Sequence, residues 1–197
     1  MLSRQKRGKL ATSQSLANAA LNYLGRFAAS EDSLRRILKN KIRRAAFSHP
    51  DFADDARMQK DLQNAIECII DKHKKSGVLN DAAFAVMKVS SARRRGLSKR
   101  AIQQRLNKKG VDADFIAEAL KQNDDGADPN EVELKAAFHF AKRRKLGPFR
   151  RKGDETKRDV FALKRKEIAT MARAGFTLTI VKKVLGADVL DEDMSEL

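Results

Sequence analysis

A chain of 197 residues with 42% hydrophobic and 35% charged residues is long enough to bury a core and too apolar to remain disordered. Lys and Arg number 42 against 26 acids, a formal charge of +16. Self-repulsion on that scale points to a polyanionic partner, whether nucleic acid, an acidic protein surface or anionic lipid. No apolar run approaches the roughly 20 residues of a membrane span, and the single Cys68 excludes an internal disulfide framework, so a soluble, cytoplasmic protein is expected.

Residues 1–14 form a basic arm carrying Arg4, Lys6, Arg7 and Lys9, and no acid occurs before Glu31. That composition resembles an organelle transit peptide, but Leu16, Ala20, Tyr23, Leu24 and Phe27 recur at helical spacing and read as part of the fold. Ser30 is a candidate N-cap for a second helix through Leu34, Ile37, Leu38 and Ile42. Pro50 interrupts, and "HPDFADD" (49–55) reads as a turn whose aspartates cap the next helix rather than hold a cation. That helix runs through Leu62, Ala65, Ile66, Ile69 and Ile70 to Gly77, with Cys68 expected as a small buried hydrophobe.

Asn80 or Asp81 caps a helix bearing Phe84, Met87 and Ala92, which Gly96 ends. Ser98 opens a short helix with Ile102 and Leu106 inward. Gly110 closes it, and Asp112 is expected to cap another with Phe115, Ile116, Ala119 and Leu120. Beyond the connector "NDDGADPN", Asp128-Pro129 is a strong start signal, for a helix through Leu134, Ala137, Phe138 and Ala141 to Gly147. A basic loop near 147–154 precedes a helix with Val160, Phe161, Ile168 and Met171. After Gly175, Thr177 caps a last helix with Ile180, Val181, Val184 and Leu185. Residues 189–197 read as an acidic, frayed tail.

No alternation of the strand type occurs, so the expected class is all-α. An internal echo organises it: Gly110-Val111, Ile116 and Leu120 recur as Gly175-Phe176, Val181 and Leu185, about 65 residues on. Three tandem three-helix repeats follow, at 15–76, 77–125 and 126–188, expected to stack into an elongated, curved array.

Between Asp81 and Asp112 there is no carboxylate, while Lys88, Arg93, Arg94, Arg95, Lys99, Arg100, Arg105, Lys108 and Lys109 all fall there. Exposed helices normally interleave charges to gain (i, i+4) pairs, so a partner is expected to supply the missing negative charge. A second cluster comprises Lys142, Arg143, Arg144, Lys145, Arg150, Arg151 and Lys152. The contact set expected from these two is Arg93, Arg94, Arg95, Lys99, Arg100, Lys108, Lys109, Arg143, Arg144, Lys145, Arg150, Arg151 and Lys152. With no Trp, one Tyr and phenylalanines mostly at core-facing positions, no base-stacking platform is evident, and only Phe149 is an exception. No phosphate-cradling glycine loop, paired-His zinc motif or Cys/His constellation is present, and His49, His73 and His139 are scattered. A non-enzyme without metal or cofactor is expected.

The stretches "GVLNDAAFA" (77–85), "RRRGLSKRAIQQRLNKKGVD" (93–112) and "ARAGFTLTIVKKVL" (172–185), in that order and with the triplet rhythm, resemble the RecX regulators of the bacterial recombinase RecA. The resemblance implies tandem three-helix repeats, no catalysis, and binding in the helical groove of the RecA filament on single-stranded DNA; a monomer is expected because no unusually apolar exposed seam is evident. It further implies limited filament growth, reduced recombinase and co-protease activity, and a place in DNA repair and the SOS response. An alternative is direct DNA binding through helix-turn-helix-like units, and another is a helical scaffold for an acidic protein partner.

Overall fold

The computed structural model describes residues 10–53, 55–150 and 160–186, with the backbone alone at 50 and 51. Among these residues the chain is helical without strands: α1 (Ser13–Leu24), α2 (Glu31–Ser48), α3 (Pro50–Ala53), α4 (Ala56–Lys75), α5 (Asp81–Arg94), α6 (Lys99–Asn107), α7 (Ala113–Asp124), α8 (Pro129–Arg144), a 3₁₀ turn (Gly147–Phe149), α9 (Val160–Arg173) and α10 (Leu178–Leu185). Three triplets are present as expected, α1–α2–α4, α5–α6–α7 and α8–α9–α10. The short α3 lies where a turn was expected. There the Phe52 and Ala53 amides donate to the His49 carbonyl, Pro at the first helical position loses no bond, and Phe52 is buried.

Contacts group the chain into two compact units, residues 1–84 with 109–112, and residues 85–108 with 113–197. In the first unit Leu16 and Ala20 of α1, Leu34, Leu38 and Ile42 of α2, and Leu62, Ile66 and Ile70 of α4 form one core with Leu79. These are the inward positions of amphipathic helices at i, i+4 spacing. Cys68 departs from expectation. It lies on the solvent face of α4 and is exposed, because Ile66 and Ile70 set the buried stripe and place residue 68 across the helix from it.

In the second unit Ile102 and Leu106 of α6 and Ile116, Ala119 and Leu120 of α7 are buried. Ala136, Ala137, Phe140 and Ala141 of α8 share a core with Met171, Phe176, Ile180, Val181 and Val184. Met87, Phe115 and Phe138, expected inward, are substantially exposed, while Phe84 and Ala92 of α5 are buried as expected, together with Ala85 and Val89. Phe149 packs edge-on against Phe138, with centroids 6.4 Å apart, and joins this core. Ile116 is 1% exposed, so Ile116→Ala is expected to lower stability by about 2 to 5 kcal/mol, read by urea denaturation.

Capping follows the sequence signals closely. Ser30, Asp55, Ser98 and Asp128 each accept an amide hydrogen bond from the first turn of the following helix. At residues 80 and 81 two roles are divided. Asn80 accepts from the Ala83 amide at 2.9 Å, whereas Asp81 accepts from the Glu31 amide at 2.9 Å and so supports the start of α2. Burial pushes the Asp81 carboxyl above its usual range, and that backbone bond opposes the shift. Thr177 holds the extended N-cap backbone without a side-chain bond.

The echo in sequence corresponds to a repeated clasp. Ser30 Oγ, fully buried, donates to the Lys109 carbonyl next to Gly110; Ser98 Oγ, also fully buried, donates to the Ala174 carbonyl next to Gly175 at 2.6 Å. Both glycines have positive φ, +70° and +90°. A Cβ would lie 2.3 Å from Asp32 Cβ at Gly110, and 2.6 Å from Ser98 Oγ at Gly175. Glycine is required at both places, because the chain turns left-handed while pressed against the start of another helix.

Candidate polyanion interface

The residues expected at the contact surface separate into distinct groups. Arg94, Arg95, Lys99 and Arg100 are exposed around the α5–α6 turn, and Lys109 and Lys145 are exposed at the ends of α6 and α8. Lys145 takes the left-handed conformation, φ +58°, that closes α8. Arg151 and Lys152, like Arg4, Lys6, Arg7 and Lys9 of the arm, lie outside the described residues.

Arg93 departs from expectation. Its side chain is 9% exposed and spans two carboxylates, Nη2 to Asp124 Oδ2 and Nη1 to Glu133 Oε2, each at 2.9 Å. Nη1 also reaches the Leu97 carbonyl at 3.3 Å, and Nε has no hydrogen-bond partner. Helical spacing explains the burial: Arg93 continues the inward line of Ala85 and Val89, both 0% exposed. Glu133 additionally accepts from the Lys99 amide at 3.1 Å, so one carboxylate neutralises Arg93 and supports the start of α6. This arginine belongs to the fold.

Arg150 also differs. Its guanidinium makes a two-pronged contact with Glu167, at 3.2 and 2.8 Å, and Glu167 is buried. Such a fork is the strong, geometrically specific form of the pair. It fastens the 3₁₀ turn to α9 and is not available to a partner.

Three of the expected cations, Lys108, Arg143 and Arg144, come together with Arg105 and Arg173 in a groove of about 250 Å³. Arg105 and Lys108 enter from the end of α6, Arg143 and Arg144 from the last turn of α8, and Arg173 is the final residue of α9. Leu97, Ala101, Phe140 and Ala174 line it with Gln104, and no carboxylate does among the described residues. The Arg143 and Arg144 guanidiniums lie 6.0 and 5.8 Å from the Phe140 ring centroid, a range in which cation–π attraction orients the head group. Arg173 contacts Thr170 Oγ1 at 3.5 Å.

Cations at helix ends ordinarily answer the backbone dipole, and three C-terminal ends meet here. Each is equivalent to about −0.5 charge, so together they offset roughly 1.5 positive charges. Counting only the four arginines, about 2.5 positive charges remain. Dipole compensation therefore accounts for the smaller part of the charge. Two other grooves of this unit differ in this respect. One of about 460 Å³ has Arg93, Lys99 and Lys121 facing Asp124, and one of about 510 Å³ sets Lys183 against Asp128 and Glu131.

Of the expected contact set, Lys108, Arg143 and Arg144 line the cationic groove, and Arg105 and Arg173, which were not selected, line it with them. Their signal was position: each stands in the last turn before a helix-ending glycine. Phe47 was also missed. It is 92% exposed on α2, next to the exposed Arg43 and Arg44, and so is not among the phenylalanines that face the core. Among the described residues no helix is long and apolar enough to cross a membrane, and no group of three or more His, Cys, Asp or Glu could hold a metal ion.

Comparison with known proteins agrees with this architecture. A family signature described as RecX, second three-helix domain, matches residues 80–120, which cover α5, α6 and most of α7. Regulatory protein RecX of Myxococcus xanthus (strain DK1622) is 33% identical over 183 residues, 93% of this chain and 90% of that protein. Regulatory protein RecX of Thermobifida fusca (strain YX) is 29% identical over 177 residues, 86% and 89% respectively. In fold, the crystal structure of RecX from Lactobacillus salivarius is similar with a TM-score of 0.55 at 19% identity, covering 89% of this chain and 95% of that one. A second crystal structure, of regulatory protein RecX, gives 0.59 at 21%, covering 89% and 72%. With a relative of this identity aligned over nearly its whole length, and a similar fold in the two crystal structures, the chain belongs to the RecX family of regulatory proteins.

Proposed function

We propose that this protein binds the RecA–DNA nucleoprotein filament in its helical groove and inhibits recombinase and co-protease activity by occupancy. A body lodged across successive protomers blocks both subunit addition and any substrate using the same groove. The observation that carries this reading is the groove lined by Arg105, Lys108, Arg143, Arg144 and Arg173 and, among the described residues, by no carboxylate. The exposed Arg94, Arg95, Lys99, Arg100, Lys109 and Lys145, together with Arg151 and Lys152, extend the contact. Arg93 and Arg150 are withdrawn from it, since carboxylates of the same chain neutralise both.

The test compares affinity for naked DNA, for free recombinase and for the assembled filament. Preference for the filament is expected, and equal affinity for bare DNA and filament removes the case for filament recognition. In the same assay Arg143→Ala with Arg144→Ala is expected to weaken filament binding at least tenfold while leaving the melting temperature nearly unchanged, because both side chains are exposed. If the four groove arginines meet phosphates, log K falls with log salt with a slope of about −3 to −4 from those contacts, and loss of two arginines reduces the slope by roughly half.

A further inference from the structure

We propose that Phe47, Arg43 and Arg44 form a second binding surface, on the outer face of α2, that takes single-stranded nucleic acid by stacking a base on the phenyl ring while the two guanidiniums pair with neighbouring phosphates. It uses none of the residues read as the filament contact. Leu34, Leu38, Ile42 and Ala45 set the buried stripe of α2, and helical spacing turns Asn40, Arg43, Arg44 and Phe47 away from it. Asn40 and both arginines are exposed, and Phe47 is 92% exposed.

A lone exposed apolar side chain is ordinary, but these two arginines beside it are not. Cations on a helix usually answer an acid one turn away or the negative end of the backbone dipole. Arg35 and Arg36 do so, pairing with Glu67 and Asp32. The positions one turn from Arg43 and Arg44 hold Lys39, Asn40, Lys41, Ala46, Phe47 and Ser48, with no acid among them. Neither arginine has a carboxylate partner among the described residues. The dipole acts within the last turn, which holds no basic residue. Lys39 and Arg43, like charges four apart, weaken the helix.

The ring is equally open. Phe27 packs against Tyr23, with centroids 5.3 Å apart, and under the Arg26 guanidinium. Phe149, the aromatic singled out from sequence, is taken up by Phe138. Phe47 has no ring partner among the described residues. Side chains three and four apart on a helix have Cβ atoms about 5 to 6 Å apart, so ring and guanidiniums reach one nucleotide and the phosphates beside it. An aromatic face among cations holds single strands without regard to sequence. A protein interface calls for an apolar centre inside a polar rim, whereas the neighbours of Phe47 on this face are charged or polar. A duplex hides its base faces in its own stack.

The test exploits the absence of Trp from the chain. Phe47→Trp in the full chain introduces a single indole, with little change in melting temperature expected at an exposed site. Unlabelled oligothymidylate is expected to quench that indole, and to do so equally with Arg143→Ala and Arg144→Ala in the background. Loss of quenching in that background assigns the signal to the groove and overturns the proposal, as does the absence of quenching in either. Equal quenching by an abasic strand of the same length reduces the surface to charge, and equal quenching by duplex removes the preference for single strands; either overturns it. Equal quenching by polyglutamate assigns the surface to an acidic protein and does the same. In the Arg143→Ala, Arg144→Ala background, read by anisotropy of fluorescein-labelled oligothymidylate, Phe47→Leu is expected to lower affinity at least fivefold with the salt slope unchanged. Arg43→Ala with Arg44→Ala is expected to make that slope shallower by about 1.4. Unchanged affinity in Phe47→Leu sinks the stacking role. None of these readings involves recombinase, so failure of filament recognition and failure of base stacking are seen separately.

Discussion

Replacing Arg93 by alanine is expected to lower stability by about 3 to 5 kcal/mol, the range for removing one partner of a buried ion pair. The large effect comes from what is left behind. Asp124 and Glu133 have side chains only 19% and 14% exposed, and without the guanidinium two carboxylates face each other with little water. Glu133 also supports the first turn of α6 through the Lys99 amide, so the disturbance spreads to the helix that supplies Arg105 and Lys108. For a chain of this size the loss corresponds to a fall in melting temperature of about 6 to 20 °C. Arg94→Ala, one residue along and exposed, is expected to stay within about 0.5 kcal/mol. Thermal melts of the two variants side by side check the contrast, and similar melting temperatures for both remove Arg93 from the fold.

Gly96→Ala is expected to be of comparable severity for a different reason. Gly96 has φ +71°, and a Cβ there would lie 2.8 Å from the Ala136 carbonyl oxygen, 2.8 Å from the Phe140 nitrogen and 2.9 Å from His139 Cβ. The left-handed conformation itself costs about 1 to 2 kcal/mol for a residue with a Cβ. Overpacking against backbone, which cannot rotate out of the way, adds about 1 to 3. A loss of roughly 2 to 5 kcal/mol is expected, again by urea denaturation. Because Phe140 and Arg143 stand on the displaced helix, weakened polyanion binding is expected to accompany it. At Gly77, where a Cβ meets nothing within 4 Å, the same substitution carries only the conformational part. A Gly96→Ala variant no less stable than Gly77→Ala would show that the α5–α6 turn does not press on α8.

Helix positions, caps and the triplet rhythm were legible because they depend on neighbours in sequence. Ser30, Asp55, Ser98 and Asp128 bond within three residues of themselves. The glycines reveal themselves by standing where helical periodicity stops. The fate of individual cations was not legible. Arg93 finds Asp124 and Glu133 at separations of 31 and 40 residues, and a count of charges within 82–111 could not include acids lying outside it. The register Ala85, Val89, Arg93 pointed inward, yet arginine reads as a solvent residue by type. Arg150 was misplaced likewise, since its partner Glu167 is 17 residues away and buried. The groove draws on three helix ends, and only packing brings Arg173 beside Arg105. Short α3 was hidden by Pro50, which breaks a helix it interrupts and begins one it precedes.

The serine-to-glycine clasp has a polarity. Ser30 and Ser98 each project a hydroxyl toward a carbonyl far downstream, and the receiving glycines have no serine of their own to return. A joint of this kind is head-to-tail, like links that hook in one direction, and nothing in its chemistry fixes how many links there are. Duplicating the middle triplet in frame would offer each new hydroxyl a matching receptor, and a lengthened protein would need no junction it does not already have.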